Sequence, residues 1–469
     1  MRSIVWFRGK DLRLADHAPL TEALAAGEVM PLFVLDPFFF EPLRAGALPH
    51  RMQFLLASLK ELEGNLARLG SRLLVVPGRS VEVVPRLAAL WKVDQVLAQR
   101  WVEPFGRERD RRVGESLERE GIAFRLFEGE TLLSPGSVRN GQGAMFRVFT
   151  PFSRACLAKL DLEPALPEPK SLPPLPEDIV AESVPIPSLR ALGILANPEL
   201  QAGGEMAARA RLEAFVRGPI PEYANDRDRM DRPGTSRLSA DLKFGTLSVR
   251  RVWQAAAAAG AGDSVRRFLN ELLWRDFSHH LLWEWPELLQ RPFRAEFEGF
   301  PWREDAGAWQ AWTEGRTGYP VVDAAARQLR TEGFVHNRAR MVAASFFTKH
   351  LLLDYRLGEG HYLRWLTDGD WAQNNAGWQW SAGCGCDAQP WFRIFNPVTQ
   401  GLKLDPEGAY VKRWVPELAD CPSAFIHEPW KAPKAQRARW DYPEPIVEHA
   451  LARERFLATA KGHLGRGKA

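Results

Sequence analysis

Cysteine is scarce in this sequence: Cys156, Cys384, Cys386 and Cys421 are the 4 in 469 residues. Only Cys384 and Cys386 stand close together, with no second pair and no histidine at zinc spacing, so no metal site is expected. Long apolar runs are also missing. No stretch of some 18 apolar residues occurs, which excludes a membrane-spanning helix, and MRSIVWFRGKDLRL lacks the apolar core of a secretory signal. A reducing cytoplasm is the expected setting. An excess of one charge is absent too: 62 Lys and Arg face 58 Asp and Glu, a net charge of +4. Any nucleic-acid surface must therefore be a local basic patch. No G-x-G-x-x-G follows the first strand-like run, which argues against a nicotinamide dinucleotide site there. What is present is 45% apolar residues, enough in a chain of this length to bury two cores.

The first third alternates β-branched runs (SIVWF, VMPLFVLD, RLLVVPG, VDQVLAQR, AFRLFEG) with helical stretches such as RMQFLLASLKELEGNLARLG. That alternation predicts a doubly wound parallel sheet, able to hold a small ligand at its strand C-terminal ends. From Glu163 to Ser188 the sequence reads EPALPEPKSLPPLPEDIVAESVPIPS, whose prolines favour extended chain, and is expected to connect two domains. After about Gly203 helical periodicity dominates, predicting an all-α domain. The expected division is an α/β domain over 1–130, a Pro-rich linker over 131–202 and a helical domain over 203–469.

Several segments carry chemistry. TSRLSADLKFGTLS, from Thr235, places hydroxyls before a helix-like run, either as a phosphate cradle or as a plain helix cap. In FLNELLWRDFSHHL, Glu271, Trp274, Arg275 and Ser278 recur every three or four residues and share one helix stripe. Such a stripe forms a site, or else an exposed Glu271–Arg275 pair beside a packed indole. In HNRARM, Asn337 and Met341 lie one turn apart, and Arg340 needs an anion if buried, with Asp368 the candidate. The segment DGDWAQNNAGWQWSAGCGCDAQPWFRIFNP, from Asp368, sets Trp371, Trp378, Trp380 and Trp391 among acids, amides and glycines, a composition suited to neither an ordinary core helix nor a loop.

Together these segments resemble the photolyase and cryptochrome family of flavoproteins, from WFRGKDLRL at Trp6 to IHEPW ending at Trp430, nearest to class I and III cyclobutane pyrimidine dimer photolyases. The resemblance implies an N-terminal α/β domain that often holds an antenna chromophore, and a helical domain that binds one FAD per subunit in a folded conformation. It implies FAD contacts from Tyr223, Thr235, Ser236, Arg237, Leu238, Ser239, Phe268, Arg340, Asp368, Asp370 and Asn374. Arg340 and Asp368 match an ion pair beside the isoalloxazine, and Asn374 matches the residue facing flavin N5. Trp274 and Trp380 would flank a flipped dimer, with Glu271, Asn337 and Met341 lining its pocket. Arg227, Arg275, Ser278, Arg338, Arg393 and Gln400 would hold UV-damaged DNA.

The implied activity is light-driven repair: excited reduced FAD gives the dimer an electron, the cyclobutane ring splits, and the electron returns. Relatives acting on (6-4) photoproducts carry histidines at the positions of Asn337 and Met341, so cyclobutane dimers are the expected substrate. The alternative is a signalling cryptochrome; plant-type members usually carry an acid where Asn374 stands, and no long signalling tail is expected after the helical domain, where the sequence reads GHLGRGKA. A monomer is expected. Two positions depart from the family pattern. The usual tryptophan relay would run from Trp378, which matches the indole next to the flavin, through a middle indole to Trp302, but the middle residue is Tyr355, which predicts slower hopping or a detour through Trp371. In EPFGRERD, Gly106 stands where folate-binding relatives carry glutamate, leaving folate, deazaflavin, a second flavin or an empty site open for the antenna. The Cys384 and Cys386 pair is assigned no function.

Overall fold

The structure, a computed structural model, describes residues 1–179 and 182–465. The β-branched runs of the first third form five strands: β1 (Arg2–Phe7), β2 (Glu28–Leu35), β3 (Leu74–Pro77), β4 (Gln95–Gln99) and β5 (Ala123–Phe127). All pair in parallel, in the order β3-β2-β1-β4-β5. β1 to β4 are buried on both faces and so read as runs rather than as alternations, whereas the edge strand β5 is only partly covered. Val5, Phe7, Phe33, Val75 and Leu97 point to one core, completed by α1 (Pro49–Arg68) through Phe54, Leu59 and Leu66. Ile4, Trp6, Leu32, Val76 and Val96 point to the other, closed by α2 (Ser80–Leu90) and α3 (Pro104–Arg119) through Val84, Leu87, Val113 and Leu117. The doubly wound sheet and the helix-rich remainder are those the sequence pattern predicts.

Cα packing divides the chain into two compact units: Met1–Pro221 with Ser236–Pro286, and Glu222–Thr235 with the chain from Glu287 onward. The described part of the Pro-rich segment carries no helix or strand between Glu163 and Ser188; Val180 and Ala181 within it, and the last four residues of GHLGRGKA, lie outside the described residues. This segment is nonetheless pinned to the first unit. Asp16 N donates to Leu166 O (2.9 Å), Leu172 N to Leu69 O (2.7 Å) and Val184 N to Val75 O (2.8 Å). Extended chain with free amides between prolines can make such bonds, and Leu172, Ile179 and Ile186 bury their side chains as it runs.

The elements that matter below are α4 (Asp263–Glu284) in the first unit, and α5 (Ala306–Glu314), α6 (Asn337–Ser345), α7 (Tyr355–Trp365), α8 (Trp371–Ala382) and α9 (Pro397–Leu404) in the second. The core of the second unit is aromatic, with Trp312, Phe346, Phe347 and Trp378 all buried. No helix among the described residues is long and apolar enough to cross a membrane.

A lysine sits inside that core. Lys349 lies on a π-helical turn, Phe346–His350, fully buried, with Nζ donating to Arg393 O at 2.8 Å. Burial pushes its ammonium down from 10.5 to about 7; a negative Cys384 thiolate would oppose this and Arg393 adds to it. Its unfolded form keeps the proton up to the ordinary value, so this residue makes stability rise with pH between those two values. Lys349→Met is therefore expected to raise the melting temperature at neutral pH and to flatten the rise toward alkaline pH. Thermal unfolding at both pH values checks this, and an unchanged slope would contradict it.

Candidate active site

In the second unit, α6 begins where His336 caps it, Nδ1 accepting from Arg338 N at 3.2 Å. Burial drives the His336 imidazole down to about 4, so the cap is a neutral acceptor at physiological pH. One turn apart, as their spacing requires, Asn337 and Met341 meet, with Nδ2 and Sδ 3.8 Å apart. Arg338 lies beside them. Its guanidinium grips Asp228 with both arms (2.7 and 2.9 Å) and reaches Met341 Sδ at 3.4 Å. Asp228, Arg338 and Met341, though not Asn337, line a cavity of about 330 Å³ together with Trp380, Arg393, Phe395, Gln400 and Lys403. The chain thus brings together five of the expected lesion and DNA residues: Met341, Trp380, Arg338, Arg393 and Gln400. An indole, a thioether, three cations and an amide around one recess can stack a base and neutralise phosphates.

Arg340, on the same helix, forms the expected pair: Nη2 donates to Asp368 Oδ2 at 2.8 Å, and Nε to Val335 O at 2.8 Å. Asp368 Oδ1 and Thr367 Oγ1 are buried with no hydrogen-bond partner among the described residues. A half-used carboxylate beside a hydroxyl suits a ligand that brings N–H or O–H donors. Asp370 caps α8, its side chain accepting from Gln373 N at 2.9 Å, and Asn374 Nδ2 donates to Glu359 O at 3.1 Å. The Glu359 carboxyl, which accepts from Asn375 Nδ2, is driven up to about 7, chiefly by burial. Also in this unit, Arg227 sits over the ring of buried Tyr223 at 5.5 Å, and Thr235 is half-buried.

In the first unit, Ser236, Arg237, Leu238 and Ser239 make the turn into a short helix, Ser239–Phe244, with Ser236 Oγ accepting from Leu238 N at 3.4 Å. Arg237 takes the left-handed conformation at φ 56°, uncommon for a residue with a Cβ. On α4, Glu271 and Trp274 are half-buried, and Trp274 stacks on Phe149 at 3.7 Å. Arg275 is buried, donating to Glu130 O and Leu242 O, so an exposed Glu271–Arg275 pair is not what this stripe builds. Ser278 returns its hydroxyl to Trp274 O (3.0 Å), and Phe268 packs on Phe215.

The remaining tryptophans separate. Tyr355 and Trp302 meet edge to face at 6.5 Å, and burial pushes the Tyr355 phenol well above its ordinary value. Trp378 lies across Gly358, where an added Cβ would fall 2.1 Å from its ring, so only glycine admits the indole there. Its ring neighbours are Trp312, Phe347 and Tyr362. Trp371 is 44% exposed and makes no ring contact among the described residues. The four cysteines are free, and burial raises the Cys384 thiol.

Two family models match the chain: the FAD binding domain of DNA photolyase over residues 268–462, and DNA photolyase over 3–172. Deoxyribodipyrimidine photo-lyase of Thermus thermophilus is 42% identical over 467 residues, 99% of each chain. The chain belongs to the DNA photolyase family. Among solved members of this fold, a class III photolyase from Agrobacterium tumefaciens superposes with a TM-score of 0.92 at 36% identity, covering 99% of this chain and 98% of its own. A cryptochrome from Synechocystis does so with 0.90 at 30%, covering 98% and 99%. Photolyase membership and the match to the FAD-binding model make FAD the cofactor.

Sequence reasoning missed Asp228, Phe395 and Lys403. Asp228 sits in DRDRM, a run of alternating charges that reads as a solvated loop, and its partner Arg338 is 110 residues away. Lys403 follows Gln400 by three residues on α9, a helical spacing that was available as a signal. Gly106, on α3, packs against Trp101; an added Cβ would fall 2.6 Å from the Trp101 Cβ, so a glutamate cannot be placed there without moving that indole.

Proposed function

We infer that this chain repairs UV-damaged DNA with light, as a deoxyribodipyrimidine photo-lyase splitting cyclobutane pyrimidine dimers. The observation that carries this reading is the cavity of about 330 Å³ in which Trp380, Met341 and three cations face one recess. A flipped dimer needs an aromatic face to replace its lost stacking and cations to hold the flanking phosphates. Trp380 and Trp274 stack on the dimer, and Asn337 and Met341 contact its edges. Met341 is apolar where a histidine would present a proton donor, which favours the cyclobutane lesion over the (6-4) photoproduct. Arg338, held by Asp228, positions the strand; Arg393, Lys403 and Gln400 bind it, and Arg227 belongs to the same proposed DNA set, whereas the expected DNA contacts Arg275 and Ser278 are left out because both are buried with their side chains bonded to backbone carbonyls.

FAD, one per chain, supplies the light-driven electron when bound. Its holders are Tyr223, Thr235, Ser236, Arg237, Leu238, Ser239, Phe268, Arg340, Asp368, Asp370 and Asn374. The buried Asp368 Oδ1 supports this set, because it is an acceptor that the described residues leave unused. Glu271 hydrogen-bonds the dimer and stabilises the negative charge that develops on it. Functionally, we assign antenna binding to 1–130, connection to 131–202, and FAD and DNA binding to 203–469. The contact of Gly106 with Trp101 disfavours a folate held by an acid at that position, leaving a deazaflavin, a second flavin or an empty antenna site. The protein acts as a cytoplasmic monomer.

The test is direct. Denatured protein should release one equivalent of FAD, and the reduced enzyme under blue light should restore a cyclobutane thymine dimer faster than a (6-4) lesion in the same oligonucleotide. A cryptochrome without repair activity would bind FAD and leave both lesions intact. Faster restoration of the (6-4) lesion would overturn the substrate assignment.

A further inference from the structure

The indole Trp378, which the resemblance sets beside the flavin, makes no ring contact among the described residues with Tyr355 or Trp302, the pair that the family pattern would use next. Its own ring contacts lead elsewhere. Trp312, on α5, meets Trp378 at 6.0 Å between centroids, edge to face, and Trp309, one turn earlier on the same helix, stacks on Trp312 at 6.1 Å and 29°. Trp312 is 2% exposed, whereas Trp309 is half-buried and reaches the boundary of the core. Three indoles therefore run in contact from the centre of the second unit toward its surface.

The groups around this line suit a travelling positive charge. An indole carries an electron vacancy as a radical cation, and the N–H of Trp312 is bonded only to a carbonyl, Ala343 O at 3.3 Å, which is too weak a base to take its proton. Tyr362 stacks on Trp312 at 5.9 Å and meets Trp378 edge to face at 5.2 Å, yet its buried hydroxyl has no hydrogen-bond partner among the described residues. With nowhere for its proton to go, Tyr362 is a poor trap for the vacancy. The ring of His361 faces Trp312 at 5.5 Å and Trp309 at 5.6 Å. Burial, aided by Arg330 and Arg364, drives it down to about 4, so it is neutral and adds no repulsion at physiological pH. On the other branch, the Tyr355 ring is buried, and burial disfavours the loss of the phenol proton that accompanies its oxidation.

We propose that Trp378, Trp312 and Trp309 form the electron relay by which this protein is photoreduced, replacing a route through Tyr355. Trp378 yields one electron to the light-excited oxidised flavin and becomes a radical cation. Trp312 refills Trp378, and Trp309 refills Trp312, each by transfer of one electron with no bond broken. An external thiol then returns one electron to Trp309, becoming a thiyl radical and giving its proton to water. The proposal rests on the assignment of Trp378 beside FAD.

The test compares Trp312→Phe, Trp309→Phe and Trp302→Phe in the FAD-bound protein. Transient absorption should lose the long-lived tryptophan radical in the first two variants, and steady illumination with thiol should reduce their flavin poorly. Prolonged illumination in air without thiol should, by mass spectrometry, add oxygen to Trp309 of the parent protein, where the vacancy comes to rest. Trp309→Phe covers the case in which the buried Trp312→Phe fails to fold, and near-ultraviolet circular dichroism reports whether each cluster stays packed. Full radical yield in both α5 variants overturns the proposal, as does loss of the radical in Trp302→Phe alone. Each variant, reduced chemically with dithionite, should still repair dimers; failure of the parent to do so would reject the repair reading rather than the relay.

Discussion

Replacing Glu271 with alanine is expected to cut the quantum yield of dimer splitting by about tenfold or more while FAD stays bound, since a hydrogen bond to a charged group contributes about 1.5–3 kcal/mol. The side chain is half-buried on α4, four residues before the wholly buried Arg275. Arg275 fixes this part of the helix by donating to the carbonyls of Glu130 and Leu242. Glu271 therefore projects from a rigid element, and removing its carboxyl should not loosen the fold. A bond that strengthens as the dimer gains negative charge acts on the splitting step more than on binding of the intact lesion. Single-turnover repair by prereduced Glu271→Ala, measured beside its affinity for damaged DNA, separates the two. Glu271→Gln keeps a donor and should recover part of the yield. An unchanged quantum yield in Glu271→Ala would remove this residue from the mechanism.

How much of this could be read from the chain alone depended on whether the cause was local. The five strands follow from β-branched runs bounded by turn residues, and the contact between Asn337 and Met341 follows from the pitch of a helix. The Arg340–Asp368 pair needed more than spacing: a partly buried guanidinium favours an anion, and the family pattern supplied which one. The partner of Arg338 was not legible, because nothing in DRDRM distinguishes Asp228 from its acidic neighbours until the chain has folded. The same holds for Trp312. Its indole lies in a TEGRTGYP-bounded helix far from Trp378 in sequence, and only tertiary packing makes the two neighbours. Arg275 shows the reverse error of emphasis: a stripe of polar residues suggested an open face, whereas the carbonyls of Glu130 and Leu242 give its guanidinium partners inside the unit.

The second large effect is expected at Asp368. Asp368→Ala removes the carboxylate from Arg340 and the buried oxygen Oδ1 that none of the described residues uses. If Oδ1 accepts a hydrogen bond from FAD, its loss costs about 1.5–3 kcal/mol of cofactor affinity, a tenfold weakening or more. The unpaired guanidinium adds to this, although only in part, because the Arg340 side chain is 28% exposed and water can reach it. Arg340 also keeps its bond to Val335 O, so the start of α6 and its capping by His336 should survive. The variant should therefore fold with little change in melting temperature when both proteins are compared without cofactor, yet be isolated largely colourless and need excess FAD for reconstitution. Asp368→Asn preserves the shape and one acceptor oxygen, and should fall between the two. Equilibrium titration of FAD into the three apoproteins gives the affinities directly. If Asp368→Ala holds FAD as tightly as the parent, the orphan oxygen serves some group other than the cofactor, and the pair with Arg340 is a structural ion pair alone.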